Sequence, residues 1–177
     1  MAGLTSQERL QPSLLDRLTD ADPDSQREPI EARVLTKQQL RAAVLRDLSW
    51  LFNTARAEPD VVRGDPAEVA LWKEAPHARV SVANFGIPSL SGITISTLQF
   101  GALEYAIRQA ILQFEPRIDP KTLAVKVHRE AGFNIQHNSL RLIIRGHMWN
   151  QPVPLELLLA ADVDVETGMA AVRDMRS

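Results

Sequence analysis

Hydrolysis of a glycosidic bond needs two carboxyl groups, one as general acid and one as base or nucleophile, roughly 5–10 Å apart. Glu104 and Glu115 are the first pair to test, because both lie on or beside one long apolar-patterned stretch. Eleven residues separate them, which on a helix is three turns, roughly 16 Å along the axis. Asp119 or Glu130 could be recruited only by long-range folding. Arg117, close to Glu115, favours the ionised carboxylate there, the wrong direction for a general acid. The four histidines, His77, His128, His137 and His147, form no HExxH motif. His128 and His147 are expected to face each other on neighbouring strands, which alone makes no zinc site. The chain has no cysteine, which excludes disulfides and thiolate metal ligands. It has no P-loop, GxGxxG or GxSxG, so neither cofactor nor metal is expected.

The stretch QFEPRID, from Gln113 to Asp119, carries a different chemistry. Pro116 disfavours helical backbone at Glu115, so a helix must end there. The proline also rigidifies the exit and fixes where the flanking charges point. Arg117 presents a planar fork of donors suited to carboxylates or carbonyls. Two readings are open. Glu115 and Arg117 form an internal salt bridge that sets a helix-to-strand corner, or they form a rigid two-charge plug for a partner.

The elements that must hold this corner can be read from periodicity. Thr36 and Gln39 form a capping box for a helix whose buried stripe is Leu40, Val44, Leu48, Leu51 and Phe52. Lys37, Arg41 and Arg46 are expected to face water. Asp65 and Pro66 start a short helix, and ARVSVANFGI reads as a short strand or extended loop. A second long helix comes next, capped by Ser96 and Gln99, with Phe100, Leu103, Ile107, Ile111 and Phe114 on its buried face. Leu98, Ala102, Tyr105 and Leu112 widen that face, and Glu104 pairs with Arg108 one turn on. The period then changes to alternation. Leu123, Val125 and Val127 share one face, then Leu140, Leu142 and Ile144, then every second residue from Val153 to Val165. The fold class is α+β: an antiparallel meander with helices on its apolar face. The long third strand is expected to project beyond the sheet with its turn at Thr167 and Gly168. Ahead of this domain, Leu10, Leu14 and Leu18 stripe a short helix, with Leu15 beside them and Ser13 and Asp16 as a capping box. It is too short to be stable alone. The polar run from Thr19 to Arg33 reads as its tether. The organisation is therefore a docking helix and linker over residues 1–33 and one domain over 34–177. The helix docks either on its own domain or on a partner.

Of the 177 residues, 45% are hydrophobic and 24% charged, with a formal net charge of −2. No global field draws nucleic acid or anionic lipid. No signal-peptide pattern and no run of roughly 18–20 apolar residues is present. A soluble cytoplasmic protein is expected, without direct membrane insertion.

The order SLLDRL, VLRDLSWLFNT, a helix closing in EPRI, and a β-meander resembles the TssE family. These are baseplate wedge proteins of bacterial type VI secretion systems, similar to contractile-tail phage wedge proteins often filed as lysozyme-like. The resemblance runs from about Ser13 to the last strand. It implies that Glu115-Pro116-Arg117 is the signature motif that docks on the wedge core. It also implies that a C-terminal hairpin, here about Val153 to Val172 and including Val163 and Val165, mimics a sheath subunit. Leu14, Leu15, Asp16, Arg17 and Leu18 join these as candidate docking residues. The implied partners are the wedge proteins TssF, TssG and TssK and the sheath proteins TssB and TssC. The implied role is a non-catalytic scaffold at the apparatus docked on the inner membrane. The alternatives are a peptidoglycan muramidase and a generic adaptor.

Overall fold

Thr36 opens the first long helix as its sequence requires. Its hydroxyl accepts from the Gln39 N–H, and the Gln39 side chain accepts from the Thr36 N–H. The structure is a computed structural model and describes residues 13–18, 35–61, 63–90, 93, 98–129, 139–148 and 154–176. The helices are α1 (Leu14–Leu18), α2 (Lys37–Phe52), α3 (Pro66–Glu74), α4 (Pro76–Arg79) and α5 (Phe100–Phe114). The strands are β1 (Ala124–Arg129), β2 (Ser139–Met148), β3 (Leu155–Asp164) and β4 (Ala170–Asp174), paired antiparallel in sequence order. The fold is therefore α+β.

The core lies where the expected stripes meet. Leu48, Ile107, Ile111, Leu142, Ile144 and Leu159 are fully buried between α2, α5 and one face of the sheet. Glu104 and Arg108 do not pair with each other. Glu104 accepts the Val127 N–H at 2.9 Å and the Lys126 ammonium at 3.3 Å. Arg108 donates to the Leu123 and Pro120 carbonyls. The helix thus covers the outer edge of β1 and the turn before it, where backbone groups outcompete an exposed side-chain pair. Tyr105 lies outside the buried stripe and is exposed. The start of α5 is Phe100, with Gln99 as cap and no side-chain cap bond; Ser96 lies outside the described residues. Val80 and Val82 are exposed, and Val82–Asn84 is a 3-10 helix, not a strand. The Thr19–Arg33 tether and the loop between β1 and β2 also lie outside the described residues.

Two expectations about the sheet need correction. His128 sits opposite Arg141, and His147 opposite Glu156, so the histidines do not face each other. The third strand does not project. β3 is paired along its whole length with β2, from Ser139–Asp164 to Met148–Leu155. Only the turn around Gly168, with its positive φ, extends past the ladder. The physical reason is burial: Val163 and Val165 are 0% and 1% exposed, so the sheet closes over them.

Candidate docking site

Pro116 does what its chemistry demands. Glu115 caps α5 with a non-helical ψ of 76°, and its carbonyl accepts the Ile118 N–H across a turn with Pro116 at its second position. Ile118 then bridges Met148, and the Asp119 N–H reaches the His147 carbonyl, which pins the corner to the end of β2. Within this corner Arg117 grips Glu115 with two donors, Nε to Oε1 at 2.6 Å and Nη2 to Oε2 at 2.5 Å. Glu115 is 2% exposed. Its Oε1 also accepts the Arg117 backbone N–H.

The corner has a third charge, which sequence reasoning missed. Asp47 of α2 accepts Arg117 Nη2 through Oδ2 at 2.5 Å. Its other oxygen, Oδ1, accepts Arg46 Nε at 2.9 Å. Burial pulls the Arg117 pKa down, but hydrogen bonds and charge from Glu115, then from Asp47, more than reverse it, and the group ends above its ordinary value. The signal that could have found Asp47 was present: within the buried stripe of α2 the sequence places RD between Val44 and Leu48. Nothing local said which other element it would meet.

The N-terminal helix joins the same chain of charges. Arg46 Nη1 donates to Asp16 Oδ1 at 2.5 Å, and its guanidinium lies 5.1 Å above the Trp50 ring. The hydrogen bond from Arg46 holds Asp16 below its ordinary carboxyl pKa. Arg46 is therefore not a solvated side chain, and neither is Arg41, which reaches Asp174 and the Glu156 carbonyl. The Ser13 hydroxyl accepts the Asp16 N–H and donates to Asp16 Oδ2, which sets the start of α1. α1 touches the domain with its acidic side, while Leu14 and Leu18 remain 71% and 74% exposed. Leu15 is also on the exposed side. The Arg17 side chain lies outside what the structure describes.

The hairpin is built differently. Asn53, the C-cap of α2, bonds both backbone groups of Ala170 and closes the first rung of the β4 edge. Across the solvent face, Asp162 pairs with Arg141 and Arg173. A pocket of about 230 Å³ sits beside the turn, lined by Phe52, Asn53, Ile87, Leu90, Thr167 and Met169. Among the described residues no three His, Asp or Glu are placed to hold a metal ion, and no helix is long and apolar enough to cross a membrane.

Residues 38–153 match the model of the family described as baseplate wedge protein gp25. This chain belongs to that family. It is the family of TssE, so the resemblance holds at the family level, with VLRDLSWLFNT and EPRI inside the matched span and SLLDRL outside it. No curated protein and no solved structure matches the chain. Membership in the wedge family makes the protein part of a phage-tail-like baseplate. The matched span contains Arg46, Asp47 and the whole EPR corner, but ends before β3. Both the α1 leucines and the hairpin valines lie outside it. The sequence-predicted residues thus fall in four places: Glu115, Pro116 and Arg117 in one corner, Asp16 tied to that corner through Arg46 and Asp47, Leu14, Leu15 and Leu18 exposed on α1, and Val163 and Val165 in the core.

Proposed function

We propose that this protein is a non-catalytic subunit of a type VI secretion baseplate, acting in the cytoplasm at the inner-membrane-docked apparatus. It docks on the wedge core through the EPR corner, with TssF, TssG and TssK as partners. The observation that carries the reading is the corner itself: a buried glutamate held by a bidentate arginine, tied to a second carboxylate, inside the span that matches the wedge family. The corner is rigid and largely buried, with Arg117 as its partly exposed member, so a partner's polar pocket reads it through Arg117. A muramidase is disfavoured because Glu115 is consumed by Arg117, and Glu104 is held below its ordinary pKa, chiefly by the Val127 N–H. Sheath nucleation through TssB and TssC falls to the backbone edge of β4, because the side chains of Val163 and Val165 are in the core.

The test is co-purification of TssF and TssG with wild type and Arg117→Gln, each checked for folding by circular dichroism. The expected result is a folded variant that captures at least about tenfold less partner, the loss associated with one interfacial charge pair. Full capture by folded Arg117→Gln would remove the corner from the interface. Release of muropeptides by the purified protein would restore the enzymatic alternative.

A further inference from the structure

We infer that Asp47 is the positioning residue of the EPR arginine, and that α1 acts on it through Arg46, so that the N-terminal helix and the EPR corner form one docking unit. The groups alternate in sign along a continuous path: Asp16, Arg46, Asp47, Arg117, Glu115. Asp47 gives one oxygen to each arginine, Oδ1 to Arg46 and Oδ2 to Arg117. Arg117 depends on that oxygen. Among the described residues its Nη1 is buried without a hydrogen-bond partner, and its Nη2 is shared between Glu115 and Asp47. The plane of the guanidinium is therefore set by these two carboxylates. Arg46 in turn is divided between Asp16 and Asp47. If α1 leaves, Arg46 loses its shortest contact and turns fully onto Asp47, drawing the carboxylate away from Arg117.

The surface around the relay explains what would move it. Leu14 and Leu18 are mostly exposed on α1, and Trp50, which stacks on Arg46, is 50% exposed. Tryptophan and arginine are the residue types that dominate interface energies. A partner that grips the leucines of α1 necessarily acts on Asp16, and so on the far end of the relay. This last step rests on the docking role proposed above; the relay itself does not.

The relay is tested first without any partner, in the full chain with arginine labelled by nitrogen-15. Hydrogen exchange at Arg117 Nε–H is the readout, with Arg41 Nε–H as an internal reference. Asp47→Asn should speed exchange at Arg117 roughly tenfold, as for the loss of one charge-assisted hydrogen bond. Asp47→Glu, which keeps the charge, should restore most of the protection. Asp16→Asn should speed it about twofold, the scale of a partly exposed ion pair, although Asp16 does not touch Arg117. Glu74→Gln on α3 should change nothing. Unchanged exchange in either Asp47→Asn or Asp16→Asn would overturn the relay. The second arm is capture of TssF and TssG by Asp16→Asn in wild-type and Arg117→Gln backgrounds. Loss in the wild-type background alone supports one docking unit. Equal loss in both backgrounds overturns it, because α1 would then act on the partner independently. If neither variant alters capture while exchange still responds, the docking role fails and the relay stands.

Discussion

The EPR corner and the C-terminal hairpin, two of the three regions offered to partners, are built on opposite principles. At the corner, charged side chains meet one another: Glu115 and Arg117 bond together and share Asp47. At the hairpin, apolar side chains meet the core: Val163 is buried from within β3, with β2 paired on one side of it and β4 on the other. Losing an internal charge pair leaves a desolvated partner behind, whereas changing a core valine disrupts the packing of a whole sheet. Specificity can reside only where change is tolerated. A charged corner can be altered while the fold survives, so it can evolve to fit a partner. The hairpin cannot vary its inward side chains, so anything it offers must come from its backbone edge and its turn.

The largest expected effect is at the hairpin. Val163→Asp places an unpaired carboxylate in the core and should cost at least about 3 kcal/mol in urea unfolding. A variant that keeps wild-type stability would show that the hairpin is loosely attached, and the contrast would collapse. Next comes the corner. Glu115→Ala leaves Arg117 with Asp47 as its remaining carboxylate and should cost about 3 kcal/mol at most, since Arg117 is partly exposed. Adding Arg117→Ala should recover part of that loss, a coupling that a double-mutant cycle reads directly. Strict additivity would mean that the two side chains do not stabilise each other in solution. The smallest effect is at α1. Asp16→Asn should lower stability by no more than about 1 kcal/mol at neutral pH. Its pH dependence follows from sign. The folded-state pKa of Asp16 lies below the ordinary 3.8, so the unfolded chain binds the proton first on acidification. The contribution of Asp16 is therefore complete above 3.8 and is lost as pH falls through the lower folded value. The gap between wild type and Asp16→Asn in thermal melts should be flat from pH 5 to 8, roughly, and close in acid.

Much of the architecture was legible because periodicity is a local property. The alternation of Leu140, Leu142 and Ile144, and of Leu157, Leu159, Ala161 and Val163, named the buried face correctly. The capping box at Thr36 and the proline stop after Glu115 were equally readable. Polar side chains were read less well. Glu104 and Arg108 have helix-pair spacing, yet Glu104 bonds β1 and Arg108 bonds the turn that leads into it. Arg41 and Arg46 sit where a helix should be solvated, yet each meets a distant acid.

The sequence by itself determined the α+β class, the sheet's apolar face, the place where α5 stops and the wedge-family kinship. These depend on spacing, on proline geometry and on motifs a few residues long. Only the tertiary structure decided that Asp47 completes the EPR corner, that Asp16 reaches it through Arg46, and that β3 is paired with β2 along its whole length instead of projecting. A charge finds its partner through space: Asp47 and Arg117 lie 70 residues apart in the chain and 2.5 Å apart in the fold. No local pattern encodes that meeting, because it depends on how α2 and the end of α5 are packed against the same sheet.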